Sequence, residues 1–159
     1  MMTINIIALG KLKERYLHDA CKEYLKRLSF LKINIIEISP IRLSESPSEN
    51  EILIALQKEG NEISKHMAKG SYTICLCIEG MQMDSQALAN TIEKISCDNF
   101  SNVNFIIGSS YGISEAIKQK ANMLLSLSKM TFPHQLARVM LLEQVYRAFS
   151  IIKGSKYHK

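Results

Sequence analysis

Two hydrophobic periods take turns along the chain. Thr3 to Leu9 (TINIIAL) is a β-branched run that predicts a first strand, ended at Gly10. From Lys13 to Leu28 the period lengthens. Tyr16/Leu17, Ala20/Cys21, Tyr24/Leu25 and Leu28 recur at three- and four-residue steps, which predicts a helix. Lys32 to Ile38 predicts a second strand, and Ser39 to Ser48, with Pro40 and Pro47, a loop. Ser48 followed by Glu51 forms a capping-box start for a helix to about Met67, closed by Gly70.

Ser71 to Glu79 is a third strand whose continuous apolar core suits an interior parallel strand, with Gly80 turning the chain. Ser85 to Ile95 predicts a shorter helix carrying Leu88, Ile92 and Ile95 on one side, and Val103 to Ile107 a fourth strand. Gly108 to Gly112 is a tight loop, Ser114 caps a helix to about Asn122, and Met123 to Leu127 is a fifth strand. Pro133 opens a long last helix that ends near Lys153–Gly154. The order βαβαβαβαβα defines an α/β fold, a parallel sheet with helices on both faces. No linker interrupts it, so residues 1–159 read as a single domain. Such sheets bind ligands outside the carboxyl ends of their strands, which selects the loops after Glu79, Ile107 and Leu127.

Composition narrows the class. With 47% hydrophobic and 22% charged residues the chain is an ordinary globular protein. It has no apolar run near the roughly 18 residues of a membrane span. The start lacks the pattern of a signal peptide, so a cytoplasmic location is expected. Cys21, Cys75, Cys77 and Cys97 form no C-x-x-C pair, which argues for buried free thiols and against a metal site. Charge is uneven: residues 1–32 carry +4, residues 33–128 carry −4 and residues 129–159 carry +5. Basic ends around an acidic middle fit an anionic partner such as nucleic acid, or a solvated basic face.

Several segments stand out as candidate chemistry. The Gly108-Ser109-Ser110-Tyr111-Gly112 loop lets backbone approach a ligand but matches neither dinucleotide nor phosphate-binding glycine motifs. Leu127 to His134 is a mixed polar and apolar loop with His134 opening the last helix, where the helix dipole favours neutral imidazole. Glu143 and Arg147 are spaced for a helical ion pair. Tyr157-His158-Lys159 places an aromatic, an imidazole and an ammonium at the chain end, which suggests a tail that docks.

Taken together, the segment Ser128 to His134, then Arg138, then Glu143-Gln144-Val145-Tyr146-Arg147-Ala148-Phe149, then Tyr157-His158-Lys159 resembles the C-terminal signature of the RlmH family. Gly10-Lys11-Leu12-Lys13, Tyr24-Leu25-Lys26-Arg27 and Lys58-Glu59-Gly60 look like family patterns as well, so the resemblance covers essentially the whole chain. The family belongs to the SPOUT superfamily and methylates N3 of a pseudouridine in 23S rRNA. The resemblance implies a C-terminal trefoil knot (the α/β knot), a homodimer and S-adenosyl-L-methionine as cofactor. It places cofactor contacts at Leu76, at Gly108, and along Leu127, Ser128, Lys129, Met130, Thr131 and Phe132. It implies pseudouridine 1915 in helix 69, presented by the assembled ribosome, as the target. Two positions depart from the pattern: many members carry an acidic residue where this chain has Cys77, and two glycines where it has Gly108-Ser109.

The expected mechanism gives Arg147, Tyr157, His158 and Lys159 the task of holding the nucleotide, with His158 as candidate base and His134 as runner-up. Arg138 and Glu143 are expected to be structural or positioning residues at a dimer seam. Three other readings stay open: a SPOUT methyltransferase acting on another RNA, a non-catalytic ribosome-binding module, and an unknotted flavodoxin-like domain.

Overall fold

The computed structural model describes residues 2–156, over which ten elements alternate. They are β1 (Thr3–Leu9), α1 (Arg15–Arg27), β2 (Lys32–Ile38), α2 (Glu49–His66), β3 (Tyr72–Met81), α3 (Ser85–Cys97), β4 (Asn102–Ile107), α4 (Glu115–Lys120), β5 (Met123–Leu125) and α5 (His134–Ile152). The strands form one parallel sheet in the order β2-β1-β4-β3-β5. Its two faces bury two cores, because successive strand residues point to opposite sides. Ile4, Ile6 and Ala8 of β1 and Val103, Phe105 and Ile107 of β4 face α1, α3 and α5. Ile7, Leu9 and Ile106 face α2 and α4 through Ile63 and Ile117. The α/β reading with helices on both faces therefore holds.

Local signals set most element ends. Ser48 Oγ accepts from the Glu51 N–H while Glu51 Oε2 accepts from the Ser48 N–H, so α2 starts on the expected reciprocal cap. Helix α1 begins two residues later than expected: the Lys13 N–H is already engaged by Gln135 Oε1 at 2.7 Å, and Glu14 takes the cap position. Helix α3 is capped by Asp84 and runs on to Cys97.

Three expectations need correcting. Gly80 does not turn the chain. Strand β3 continues through it to Met81, with a register shift between Leu76 and Met81 against β5. A Cβ at Gly80 would lie 2.6–2.7 Å from the backbone of Leu124 and Leu125, so the glycine serves close chain approach inside a strand. Strand β5 stops at Leu125, because the Ser126 N–H bonds to Met81 O and its hydroxyl to Ser128 O, which bends the chain. The cysteines also divide. Cys21 and Cys75 are buried, Cys77 is half-buried, and Cys97 is exposed rather than buried.

A polar row pins the sheet toward its amino end. Asn34 Nδ2 donates to Asn5 Oδ1 (2.8 Å), Asn5 Nδ2 to Asn104 Oδ1 (3.0 Å), and Asn104 Nδ2 to Ser71 Oγ (2.7 Å) and Thr73 Oγ1 (3.1 Å). Asn5, Asn104 and Thr73 are buried. A one-residue slip of any strand would turn its member of the row to the other face, so the row specifies register.

Candidate active site

The carboxyl ends of β3 and β4 stop short of the first turn of α5, and a cavity of about 750 Å³ opens between them. Three segments build it. The end of β3 contributes Leu76, Cys77, Ile78 and Glu79. The turn after β4 contributes Gly108 to Gly112, closed by a hydrogen bond from the Gly112 N–H to Ser109 O. The approach to α5 contributes Thr131, Phe132, Pro133 and His134, with Ala137 behind them. A Cβ at Gly108 would overlap the carbonyl of Gly112, so only glycine lets this turn close against the strand end.

A smaller hollow of about 100 Å³ adjoins the cavity and shares Leu76, Cys77, Ile78, Phe132 and Ala137 with it. Ser126, Leu127, Ser128 and Met130 complete this second space. The loop there is shaped internally, with the Met130 N–H donating to Ser128 Oγ at 3.0 Å. The structure thus brings together Leu76, Gly108, Leu127, Ser128, Met130, Thr131 and Phe132 of the expected contacts. Lys129 is exposed and lines neither space.

The electrostatics are mixed. Lys118 of α4 reaches the cavity wall and pairs with Glu79, which holds the Glu79 carboxyl below its usual range. The same pair raises Lys118. Cys77 sits next to them, and burial followed by the Glu79 charge pushes its thiol up. Burial pushes Cys75 up to about 12. Both sulfurs are therefore neutral at neutral pH, and neither is an activated thiolate.

His134 lies on the opposite wall. Its pKa is lowered by burial and then by the charges of Arg138 and Lys13, so the imidazole is neutral at neutral pH. The neutral state was expected from the helix dipole, but burial is the larger cause. His134 Nδ1 is buried with no hydrogen-bond partner among the described residues. Arg138, one turn on, is almost fully buried. It donates to Glu37 Oε2 (2.9 Å) and to Gly10 O (3.0 Å), tying α5 to the ends of β1 and β2.

Arg147 is not at the cavity within one chain. It lies 13 residues beyond His134 on the same helix, about 20 Å along the axis. Its Nε and Nη2 donate to Glu143 Oε1 at 3.0 and 2.6 Å, the ion pair that the spacing predicted. Tyr157, His158 and Lys159 lie outside the described residues. Sequence reasoning missed Glu79 and Lys118 as lining residues. Glu79 was in reach, since it ends a strand beside a selected loop. Lys118 carried no local signal.

The cavity fits an adenosyl sulfonium group. It is large enough for a nucleoside, its strand-end walls are apolar at Leu76, Ile107 and Phe132, and main chain is laid bare at Gly108. Among the described residues no cluster of three or more His, Cys, Asp or Glu is placed to hold a metal ion. No helix among the described residues is long and apolar enough to cross a membrane.

Comparison with known proteins agrees with this geometry. Residues 2–158 match the family model described as "Predicted SPOUT methyltransferase". The chain is 48% identical over 159 residues to the ribosomal RNA large subunit methyltransferase H of Bacillus pumilus, covering 99% of this chain and 100% of the relative. A protein of the same name from Clostridium botulinum is also 48% identical, and one from Bifidobacterium animalis 46% identical, each over the same shares. On a match of this length and identity, the chain belongs to the RlmH family of SPOUT methyltransferases.

Proposed function

We propose that this chain is an S-adenosyl-L-methionine-dependent methyltransferase that methylates N3 of pseudouridine 1915 in helix 69 of 23S rRNA. It acts on the assembled ribosome in the cytoplasm, as a homodimer of single SPOUT domains spanning residues 1–159, each threaded as a trefoil knot. The observation that carries the reading is the convergence of the carboxyl half of β3, the turn after β4 and the approach to α5 on one cavity with apolar walls and an exposed backbone turn. The names of the relatives, each a ribosomal RNA large subunit methyltransferase H, point to the same class of substrate.

Leu76, Gly108 and the segment Leu127 to Phe132 would hold the cofactor, which supplies a methyl group on a sulfonium. The target nitrogen carries a proton and is a poor nucleophile until that proton leaves. The protein's task is to align the base and favour its deprotonated form. Tyr157, Lys159 and Arg147 hold the nucleotide, and His158 is the base. His134 is second choice for that role: it is neutral and lines the cavity, but its Nδ1 is buried. Arg147 lies far from the cavity of its own chain, which supports a site completed by the tail and last helix of a second copy.

The basic ends would neutralise rRNA phosphates, so binding should weaken steeply with salt. The deciding experiment is mass spectrometry of rRNA from cells with and without the protein, paired with calorimetry against S-adenosylmethionine. The reading requires one methyl on one pseudouridine to disappear. An unchanged methylation pattern, or a purified protein that ignores millimolar cofactor, would refute it.

A further inference from the structure

Beside the main cavity lies another hollow, of about 250 Å³, between α2, residues 40–44 and the turn after β4. Ser109, Ser110 and Tyr111 line both spaces, so this turn is the wall between them. Glu59 of α2 lines the hollow, and its side chain is nearly sealed from solvent, at 4% exposure. A buried carboxylate is costly unless donors satisfy it. Two do so. Ser109 Oγ donates to Glu59 Oε1 at 2.9 Å, and the Ile41 N–H donates to Glu59 Oε2 at 3.0 Å. Segments 18 and 50 residues away from Glu59 thus meet on one side chain. Ser109 is held from the other side as well, its carbonyl accepting from the Gly112 N–H at 2.9 Å.

We propose that Glu59 is a positioning residue for the cofactor pocket. Its carboxylate holds Ser109 so that the Gly108–Gly112 turn is preset before the cofactor arrives. Through Ile41 it ties the 39–48 loop to the same turn. This rests on the reading of the main cavity as the cofactor pocket. A turn already held in place pays less ordering cost on binding, so the clamp should act on affinity and leave the transfer step alone. The hydroxyl of Ser109, one of the two departures from the family pattern, gains a task by this account.

The test uses the full-length protein with S-adenosylmethionine, by calorimetry and by ribosome methylation. Ser109→Ala should bind the cofactor roughly tenfold more weakly, raising its KM with kcat held. Ser109→Thr, which keeps the hydroxyl, should bind like the unaltered protein. Glu59→Leu, which removes both acceptors, should match Ser109→Ala. The double variant should be no worse than either single one, as for two members of one contact. Hydrogen exchange gives an independent readout: the cofactor should slow exchange at the Ile41 amide in the unaltered protein and not in Ser109→Ala.

Unchanged affinity in Ser109→Ala, with or without a fall in thermal stability, would overturn the proposal and leave Glu59 a purely structural residue. Should Glu59→Leu fail to fold, the serine variants decide alone. An unaltered protein that does not bind the cofactor would instead refute the reading of the cavity, and this proposal with it.

Discussion

Toward the amino end of the sheet the buried polar side chains close on one another; at the carboxyl end some do not. Asn34, Asn5 and Asn104 pass hydrogen bonds from strand to strand until Ser71 and Thr73 receive them. At the other end His134 Nδ1 and Arg138 Nε are buried without a partner among the described residues, around loops that leave a cavity of about 750 Å³. The first arrangement specifies register and adds stability. In the second, two buried nitrogens of α5 stay unpaired, one on His134 at the cavity wall and one on Arg138 behind it. Parallel topology explains the division, since it gathers the loops that follow the strands at one edge.

The comparison can be broken most sharply through the tail. Deleting residues 157–159 should lower ribosome methylation at least about 100-fold, the cost of losing alignment at the reacting atom. Cofactor binding by calorimetry should stay nearly intact. A truncated protein that methylates normally would remove the tail from the mechanism. Next in size, Asn104→Ala should destabilise the fold by about 2–3 kcal/mol in urea unfolding, because Asn5 then loses a partner in a buried place. Cofactor affinity should not follow, and a parallel loss would show that the two ends are not separate.

Gly108→Ala should have a narrower effect, weakening cofactor binding roughly tenfold through the overlap with the Gly112 carbonyl. The smallest effect concerns pH. The folded state holds His134 below its ordinary pKa of 6.5, so it binds fewer protons than the unfolded chain just below that value. Stability is complete above about pH 6.5 and declines as pH falls toward the folded pKa. Thermal unfolding across that window should show the slope, and His134→Gln should flatten it.

Much of this molecule was legible in its residues. Both β1 and β2 fall where their β-branched runs predicted, and the Ser48 cap forms as its spacing required. Of the three loops chosen as ligand loops, those after Ile107 and Leu127 line the cavity or the hollow beside it, while the third wall comes from within β3, at Leu76 to Glu79, and not from the loop after it. Gly80 was misread because a glycine after an apolar run looks the same whether the chain turns there or another strand presses against it. Lys118 and the asparagine row gave no signal, since each acts through a residue many positions away, and Glu59 stood out only within the Lys58-Glu59-Gly60 pattern, which assigned it no partner.

The sequence by itself determined the alternation of elements, their faces and the ends set by local caps, because hydrophobic period and capping are read within a few neighbouring residues. Tertiary structure alone decided the strand order β2-β1-β4-β3-β5, and with it which polar groups meet. Asn5 finds Asn104, Glu59 finds Ser109 and Arg138 finds Glu37 across 99, 50 and 101 residues. Such partners are fixed only when the strands have chosen their neighbours and their register.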